Sequence, residues 1–177
     1  MGSIDFNKLW QNFLDTVTNH YADFNGRVGR AQFWYYVLVQ VAIMIVLGVV
    51  QRILWTDILT ALAGLALLLP SAGMAARRLQ DTGRSGALVW GALIPVGILF
   101  AVTILSLIGG LIGAMFLLTF FFTIGILIDL IALGFGIAVL YFCAQPGMPE
   151  ANQYGPVPPV FDPTMATPAA PTPPPAA

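Results

Sequence analysis

The chain has 177 residues, of which 58% are hydrophobic and only 8% are charged, and its mean hydropathy is +0.86. Polar side chains this few in number cannot cover the surface of a water-soluble protein of this size. The composition therefore indicates a membrane protein. The net charge is −1, but six of the seven Lys and Arg residues lie in the first 30 positions or between residues 77 and 84.

The N-terminal segment is predicted to form an amphipathic helix. Between residues 5 and 22, apolar side chains recur at the i, i+3, i+4 and i+7 spacing of one helix face, opposite polar ones. The apolar face consists of Phe6, Leu9, Trp10, Phe13, Val17 and Tyr21. The segment is too polar to cross a bilayer, so we interpret residues 1–32 as a cytoplasmic segment that lies flat on the membrane surface or against the bundle.

Two apolar runs follow. Residues 33–54, with Gln40 as the only polar residue in the interior of the run, are long enough for a spanning helix, which needs about 20 apolar residues. Residues 58–76 form the second predicted span, in which Pro70 is expected to kink the helix. The polar stretch at 77–86, RRLQDTGRSG, is predicted to be a loop with turn residues from Asp81 to Gly86.

Residues 87–143 contain almost no polar side chains and are too long for one crossing, but they suit two crossings joined tightly. We divide this run at Gly109, Gly110 and Gly113, which gives a third span at 87–107 and a fourth at 120–142. The prediction is therefore an all-α, polytopic membrane bundle of four transmembrane helices within residues 33–144, plus the N-terminal amphipathic interfacial helix.

Residues 145–177 are predicted to form a Pro-rich, mostly disordered cytoplasmic tail. Eleven of the 13 prolines lie from Pro146 onward. This composition favours extended polyproline II backbone and has little to bury, so we expect disorder beyond about residue 160. Such a segment can dock in an aromatic groove of a partner, although an inert tail is the usual outcome.

The distribution of basic residues predicts the topology. Three basic residues precede the first span: Lys8, Arg27 and Arg30. Three more lie between the second and third spans: Arg77, Arg78 and Arg84. Only Arg52 lies on the other side of the membrane in this arrangement. Because cytoplasmic segments carry the excess of Lys and Arg, both termini are expected in the cytoplasm.

Three segments carry a family resemblance: FNGRVGRAQFW at 24–34, RRLQDTGRSG at 77–86 and NQYG at 152–155. In this order they resemble the DUF805 family of bacterial inner-membrane proteins, with Gln80 where the family usually has His and Ala87-Leu88 in place of its usual Trp pair. The resemblance implies a multi-pass protein of the bacterial inner membrane. It implies no activity, because the family is defined without a function.

The cytoplasmic arginines form the first candidate site. Arg27 and Arg30 share a helix face at i, i+3, and three more arginines flank the predicted turn at the same depth: Arg77, Arg78 and Arg84. Guanidinium groups bind phosphate bidentately, so this cluster is a candidate pocket for an anionic phospholipid headgroup or an acidic partner. The alternative is that these arginines only fix the topology.

The turn between the second and third spans contains four residues to which we assign structural roles. Asp81 is expected to lie between Arg78 and Arg84 and to hold the loop in one shape. Ser85 is placed to cap the helix that begins near residue 87. Gly83 and Gly86 allow backbone N–H groups to approach an anion closely.

Asp129 is the second candidate site, because it is the only ionisable side chain deep in an apolar span and a charge there is costly. It is either part of a proton or ion pathway, or a neutral packing residue that bonds to Thr123, Ser106 or Gln40. A pathway usually contains several polar groups, and Asp129 stands almost alone.

Enzymatic activity is not expected. The Asp81-Thr82-Gly83 triplet imitates an aspartic protease motif, but that chemistry needs two such carboxylates on a β fold, whereas Asp81 lies between arginines in a chain predicted to be all-helical. Ser85 has no histidine base on another span, because the only histidine is His20. The lone Cys143 excludes an intramolecular disulfide and a cysteine metal site. We expect no catalytic residues, metal, cofactor or nucleic-acid partner. Two hypotheses remain: a non-catalytic module that binds anionic lipid or an acidic partner, or a small oligomeric transporter or channel that uses Asp129.

Overall fold

The computed structural model describes residues 5–56, 58–111 and 115–163, and for residues 96, 99, 100, 106, 107, 109–111 and 115–118 it describes the backbone only. These residues form five α-helices and no strand, which confirms the all-α prediction for the described ranges. The helices are α1 (Phe6–Thr18), α2 (Arg30–Ile53), α3 (Ile58–Asp81), α4 (Leu88–Leu111) and α5 (Met115–Ala144).

α1 is a short helix that packs on the start of α2. The Asp5 carboxylate caps it by accepting a hydrogen bond from the Asn7 N–H at 2.9 Å. Phe13 is buried and stacks on Tyr36 of α2 with ring centroids 5.5 Å apart, whereas Phe6 is 78% exposed. One face of α1 is thus covered by the protein; its contact with a membrane surface stays a prediction.

Within the described residues, three segments are long and apolar enough to cross a membrane: Arg30–Ile53, Ile58–Asp81 and Thr119–Ala144. Each contains most of one predicted span. A membrane crossing by α4, and with it the count of four spans, stays a prediction. Gly109 and Gly110 lie within α4, while Gly113 is outside the described residues.

α3 is longer than expected. The polar residues from Arg77 to Asp81, predicted as loop, continue the helix, and the turn begins only at Thr82. The reason is that these polar side chains are buried by the rest of the protein and find partners there. The helix ends where Gly83 takes a φ of +78°, a left-handed conformation that favours glycine.

One end of the molecule contains nearly all of its core. The start of α2, the end of α3, the start of α4 and the end of α5 meet there, and we call residues 20–30, 77–88 and 143–163 the cap. The buried apolar cluster in and beside the cap comprises Phe13, Val28, Phe33, Tyr36, Ala72, Met74, Ala76, Leu79, Val89 and Cys143. The buried residues of α2 are Phe33 and Tyr36, and those of α3 lie between Pro70 and Asp81. The opposite halves of these two helices expose apolar side chains.

After α5 the chain folds back over the cap, and we call residues 145–163 the strap. The Met148 N–H donates to the Asp81 carbonyl at 2.8 Å, Phe161 packs on Tyr35 at 5.8 Å, and the Pro163 carbonyl accepts from the Asp5 N–H at 3.1 Å. The first part of the predicted tail is therefore packed against the protein. The stretch from 164 to 177 is outside the described residues, so the predicted disorder there stays a prediction.

Candidate functional site

A buried carboxylate, Asp81, lies between two arginines at the centre of the cap. Arg27 Nε donates to Asp81 Oδ1 at 3.0 Å and Arg27 Nη2 lies 2.9 Å from the same oxygen, while Arg78 Nη1 donates to Oδ2. The side chains of Arg27, Asp81 and Arg78 are 1%, 4% and 0% exposed. We call these three residues the node, in which each carboxylate oxygen has its own guanidinium partner.

The remaining guanidinium N–H groups of the node hold the strap. Arg27 donates to the carbonyls of Met148 at 2.6 Å and Glu150 at 2.7 Å. Arg78 donates to the Cys143 carbonyl at 2.9 Å and to the Gln145 carbonyl. Because Arg27 precedes α2 and Arg78 lies in α3, the node connects α2, α3 and the segment after α5. These carbonyl acceptors could not be found from the sequence, because they are main-chain groups.

Local backbone features position the node. Arg78 and Asp81 are at i, i+3 in the last turn of α3, so they share a helix face. Gly26, with a φ of +101°, turns the chain just before Arg27. Gly147 of the strap packs directly against the Asp81 carboxylate, and an added Cβ would collide with it.

The other three predicted arginines lie outside the node. Arg30, the first residue of α2, is exposed and lies close enough to Arg78 for electrostatic repulsion. Arg77 Nη1 is 3.9 Å from Asp23 Oδ2, and its Nε has no hydrogen-bond partner among the described residues. Arg84 lies over the Phe142 ring, 4.2 Å from its centroid, rather than beside Asp81.

Asp23 is the second carboxylate of the cap. Burial raises its pKa, but the Asn25 N–H at 3.1 Å, the His20 ring at 3.0 Å and the charge of Arg77 outweigh this effect and lower the pKa below its ordinary value of 3.8. Asp23 therefore stays ionised beside Arg77 at neutral pH.

The turn after α3 is fixed by contacts to its neighbours. The Ser85 hydroxyl accepts from the Ala87 N–H at 3.2 Å, one residue before α4 begins. Gly86 is buried against Gln80 and Ala76, where a Cβ would lie 2.8 Å from Gln80 Nε2. Gln80 Nε2 in turn donates to the Phe24 carbonyl at 2.8 Å, so this turn and the segment before α2 are joined.

The strap contains a compact turn that sequence analysis noted only as a motif. Asn152 and Gly155 form an isolated antiparallel bridge, with hydrogen bonds of 3.1 and 3.0 Å in the two directions. Asn152 Nδ2 also donates to the Gln80 carbonyl at 2.9 Å, and its Oδ1 accepts from the Tyr154 N–H. The asparagine therefore fastens the strap to the end of α3.

The intramembrane polar residues divide into two groups. Gln40 Oε1 accepts from the Ser71 hydroxyl at 2.9 Å, which also contacts the Tyr36 hydroxyl at 3.0 Å, so Gln40 joins α2 to α3. Thr123 donates to the Thr119 carbonyl at 2.9 Å. Neither Gln40 nor Thr123 forms a hydrogen bond with the Asp129 carboxylate of α5. The side chain of Ser106, the third predicted partner, is outside the part of the chain that the structure describes.

Asp129 lies near the middle of α5 and is exposed. No hydrogen bond or ion pair joins it to another residue in the described part of the chain. It lies at the edge of a pocket of about 280 Å³ between α4 and α5, which is lined by Val102, Thr103, Phe121, Phe122, Gly125, Ile126 and Asp129. The structure does not bring Asp129 near the arginines of the cap.

Comparison with known proteins identifies the family. A family model described as "Protein of unknown function (DUF805)" matches residues 21–156. The inner membrane protein YhaH of Escherichia coli K12 is 30% identical over 148 residues, which cover 80% of this chain and 92% of YhaH. The inner membrane protein YhaI of the same strain is 38% identical over 74 residues, which cover 41% of this chain and 63% of YhaI. No solved structure matches the chain.

The chain therefore belongs to the DUF805 family and is a membrane protein with relatives in the E. coli inner membrane. The matched range includes the node, the turn after α3 and the strap as far as residue 156. It also includes Asp129.

Proposed function

We propose that this member of the DUF805 family is a non-catalytic protein of the bacterial inner membrane whose cap binds the phosphate of an anionic phospholipid through Arg30. In this proposal the chain crosses the membrane four times and both termini are cytoplasmic, as the distribution of basic residues predicts. One observation carries the proposal. Two guanidinium groups, those of Arg27 and Arg78, share the single carboxylate of Asp81, and the exposed Arg30 acts on Arg78 from nearby, so this part of the cap has an excess of positive charge.

The charges of the node are not balanced from within. Arg27 and Arg78 share Asp81, and Arg30 repels Arg78 from nearby. The node itself carries an excess of one positive charge, and Arg30 adds a second positive charge beside it. Such an excess attracts an anion, and a guanidinium group binds phosphate with paired hydrogen bonds.

Arg30 has the exposure and the depth that a headgroup contact needs. The donors of Arg27 and Arg78 point to Asp81 and to carbonyls, whereas Arg30 is exposed. Arg30 and Arg52 lie at the two ends of α2, about 33 Å apart along the helix, which is close to the thickness of the hydrocarbon core. Arg30 therefore lies at headgroup level when α2 spans the membrane.

The node supports this site by fixing its geometry. It holds the segment before α2, the end of α3 and the strap together, so Arg30 enters α2 from a rigid base. An arginine at the start of a rigidly held helix loses less conformational entropy on binding than one in a mobile segment. The node is thus a positioning element, and Arg30 makes the contact.

The test is lipid retention by the full-length protein in nanodiscs, with phosphatidylglycerol and phosphatidylcholine mixed in equal amounts. Native mass spectrometry would compare wild type with Arg30→Gln and with the matched control Arg52→Gln at the other end of the same helix. We expect wild type and Arg52→Gln to retain phosphatidylglycerol in preference, and Arg30→Gln to lose most of this preference.

Equal retention by all three proteins would overturn the proposal. Adding inorganic phosphate distinguishes a lipid headgroup from a free phosphate anion as the ligand. Displacement of the lipid at millimolar phosphate would mean that the free anion is the ligand. Retention of an acidic protein in place of lipid would also contradict it.

A second candidate function is a small oligomeric transporter or channel that uses Asp129. It is supported by an exposed carboxylate in the middle of a candidate span, beside a pocket that contains Thr103. This function requires a water-accessible path to Asp129. Flux of protons or cations into proteoliposomes would test it, and equal flux with wild type, Asp129→Asn and empty vesicles would exclude it.

A further inference from the structure

Asp129 lies on the outer face of the α4–α5 hairpin. Four residues of α5 at i, i+4, i+7 and i+11 form this face, and all of them are exposed: Phe122, Ile126, Asp129 and Leu133. Three are large apolar side chains that suit lipid. The fourth is a carboxylate that meets no polar partner from the described part of its own chain.

An outward-facing carboxylate at the middle of a span is costly in a bilayer. Ionisable residues in membrane helices almost always face protein or a water-filled cavity for this reason. The apolar residues around Asp129 need no cover, because lipid tails are as apolar as they are. The carboxylate is therefore the feature that requires another protein surface.

The other described residues of the chain do not supply that surface. α3 buries residues only from Pro70 to Asp81, near the cap, and the polar residues in the middle of α2 and α3 bond to each other through Ser71 and Gln40. The α4–α5 hairpin joins α3 near the cap, where Cys143 of α5 accepts a hydrogen bond from Arg78. Asp129 is about 21 Å along α5 from this contact.

We infer that two copies of this chain pair through the α4–α5 hairpin, so that Asp129 of each copy is covered by the pocket of the other. The pairing is independent of the arginine site, which lies at the cap. A twofold interface requires one surface to carry both a protrusion and a recess. This face has both: Leu133 protrudes and is 60% exposed, and the pocket beside buried Gly125 is a recess one turn away from Asp129.

The chemistry of the recess fits a carboxyl group. Gly125 has no side chain, which leaves room for the recess at this point of α5. Thr103 supplies a polar side chain to the pocket wall, and the second copy adds its own Asp129 at the same depth. Hydrogen bonds between membrane helices contribute modestly to the stability of helix association. In this interface they also replace contact of the carboxyl group with lipid.

Cysteine cross-linking in native membranes tests the pairing. In a Cys143→Ala background, Ile126→Cys places one thiol on the proposed face, and Ile45→Cys places one on an equally apolar, exposed part of α2 as a matched control. We expect a disulfide-linked dimer from Ile126→Cys and little from Ile45→Cys. Adding Asp129→Leu should lower the yield from Ile126→Cys about tenfold, because the polar group that requires cover is gone.

Single-molecule photobleaching of a C-terminal label counts the copies of the otherwise wild-type protein in bilayers. This result does not depend on the folding of a variant. We expect two copies per particle. Single copies, equal cross-linking at both positions, or cross-linking of Ile126→Cys to a different protein would each overturn the inference. If Asp129→Leu loses the dimer but keeps the preference for phosphatidylglycerol, dimerisation and lipid binding through Arg30 are independent properties.

Discussion

Two aspartates, Asp81 in the cap and Asp129 in the middle of α5, show how differently this chain treats the same side chain. Asp81 is buried and has two arginine partners within its own chain. Asp129 is exposed in a candidate span and has no such partner among the described residues. The first carboxylate is part of the fold, whereas the second needs a covering surface that the described residues do not provide.

The comparison separates structural charge from interaction charge. A buried charge is tolerated when it is paired and hydrogen-bonded, as in the node. A charge that remains unsatisfied in the folded chain indicates a partner, which we propose to be the headgroup for Arg30 and the second copy for Asp129. The predictions below test how far the cap depends on its internal pairing.

Removing the carboxylate of the node should have the largest effect. Asp81→Ala leaves the buried guanidinium groups of Arg27 and Arg78 without their anion, and we expect a loss of about 3–5 kcal/mol of stability. Thermal unfolding in detergent measures it. Asp15→Ala, on the exposed side of α1, is the control and should change the midpoint little. Similar midpoints for both variants would mean that the node does not stabilise the cap.

Arg27→Lys should have the next largest effect, although it keeps the charge. A lysine ammonium cannot reach Asp81 and the carbonyls of Met148 and Glu150 together, because it lacks the planar fork of guanidinium. We expect a loss of about 2 kcal/mol and faster hydrogen exchange in the strap. Arg30→Lys is the control, since Arg30 lies outside these bonds. If Arg27 only fixed the topology, the two lysine variants would behave alike.

Gly147→Ala should cost less, about 1–3 kcal/mol, because the new Cβ collides with the Asp81 carboxylate and the strap must move away. Gly134→Ala in α5 is the matched control: a Cβ there meets nothing within 4 Å, so this variant should be neutral or slightly more stable. A ranking of unfolding midpoints with Gly134→Ala at or above wild type and Gly147→Ala below it is the expected result.

The sequence was sufficient for the all-helical class of the described residues and for much of the helix positions. Long apolar runs predicted α2 and the apolar part of α3, because bilayer thickness sets their length. It was not sufficient for the end of α3, where Arg77 to Asp81 read as a loop. In a sequence, a run of polar residues at the end of a helix cannot be distinguished from a turn. These residues are buried by the strap and by the segment before α2, which are distant from them in the sequence.

The site was predictable in its residues but not in its pairing. Asp81 was expected beside Arg78 and Arg84, and its second partner is Arg27 instead. A pair separated by 54 positions leaves no spacing signal, unlike the i, i+3 pair with Arg78. The main-chain acceptors in the strap leave no signal either, because every residue has a carbonyl.

The smallest expected effect concerns Arg84, whose guanidinium lies over the Phe142 ring instead of beside Asp81. A cation–π contact at a partly exposed site contributes about 0.5–1 kcal/mol, so Arg84→Gln and Phe142→Leu should each weaken the cap slightly. A double-mutant cycle isolates the contact, because the two losses should not add if Arg84 acts through the ring. Additive losses, together with a coupling of Arg84→Gln to Asp81→Asn, would instead place Arg84 in the electrostatic field of the node. The excess positive charge proposed for headgroup binding would then include a fourth arginine.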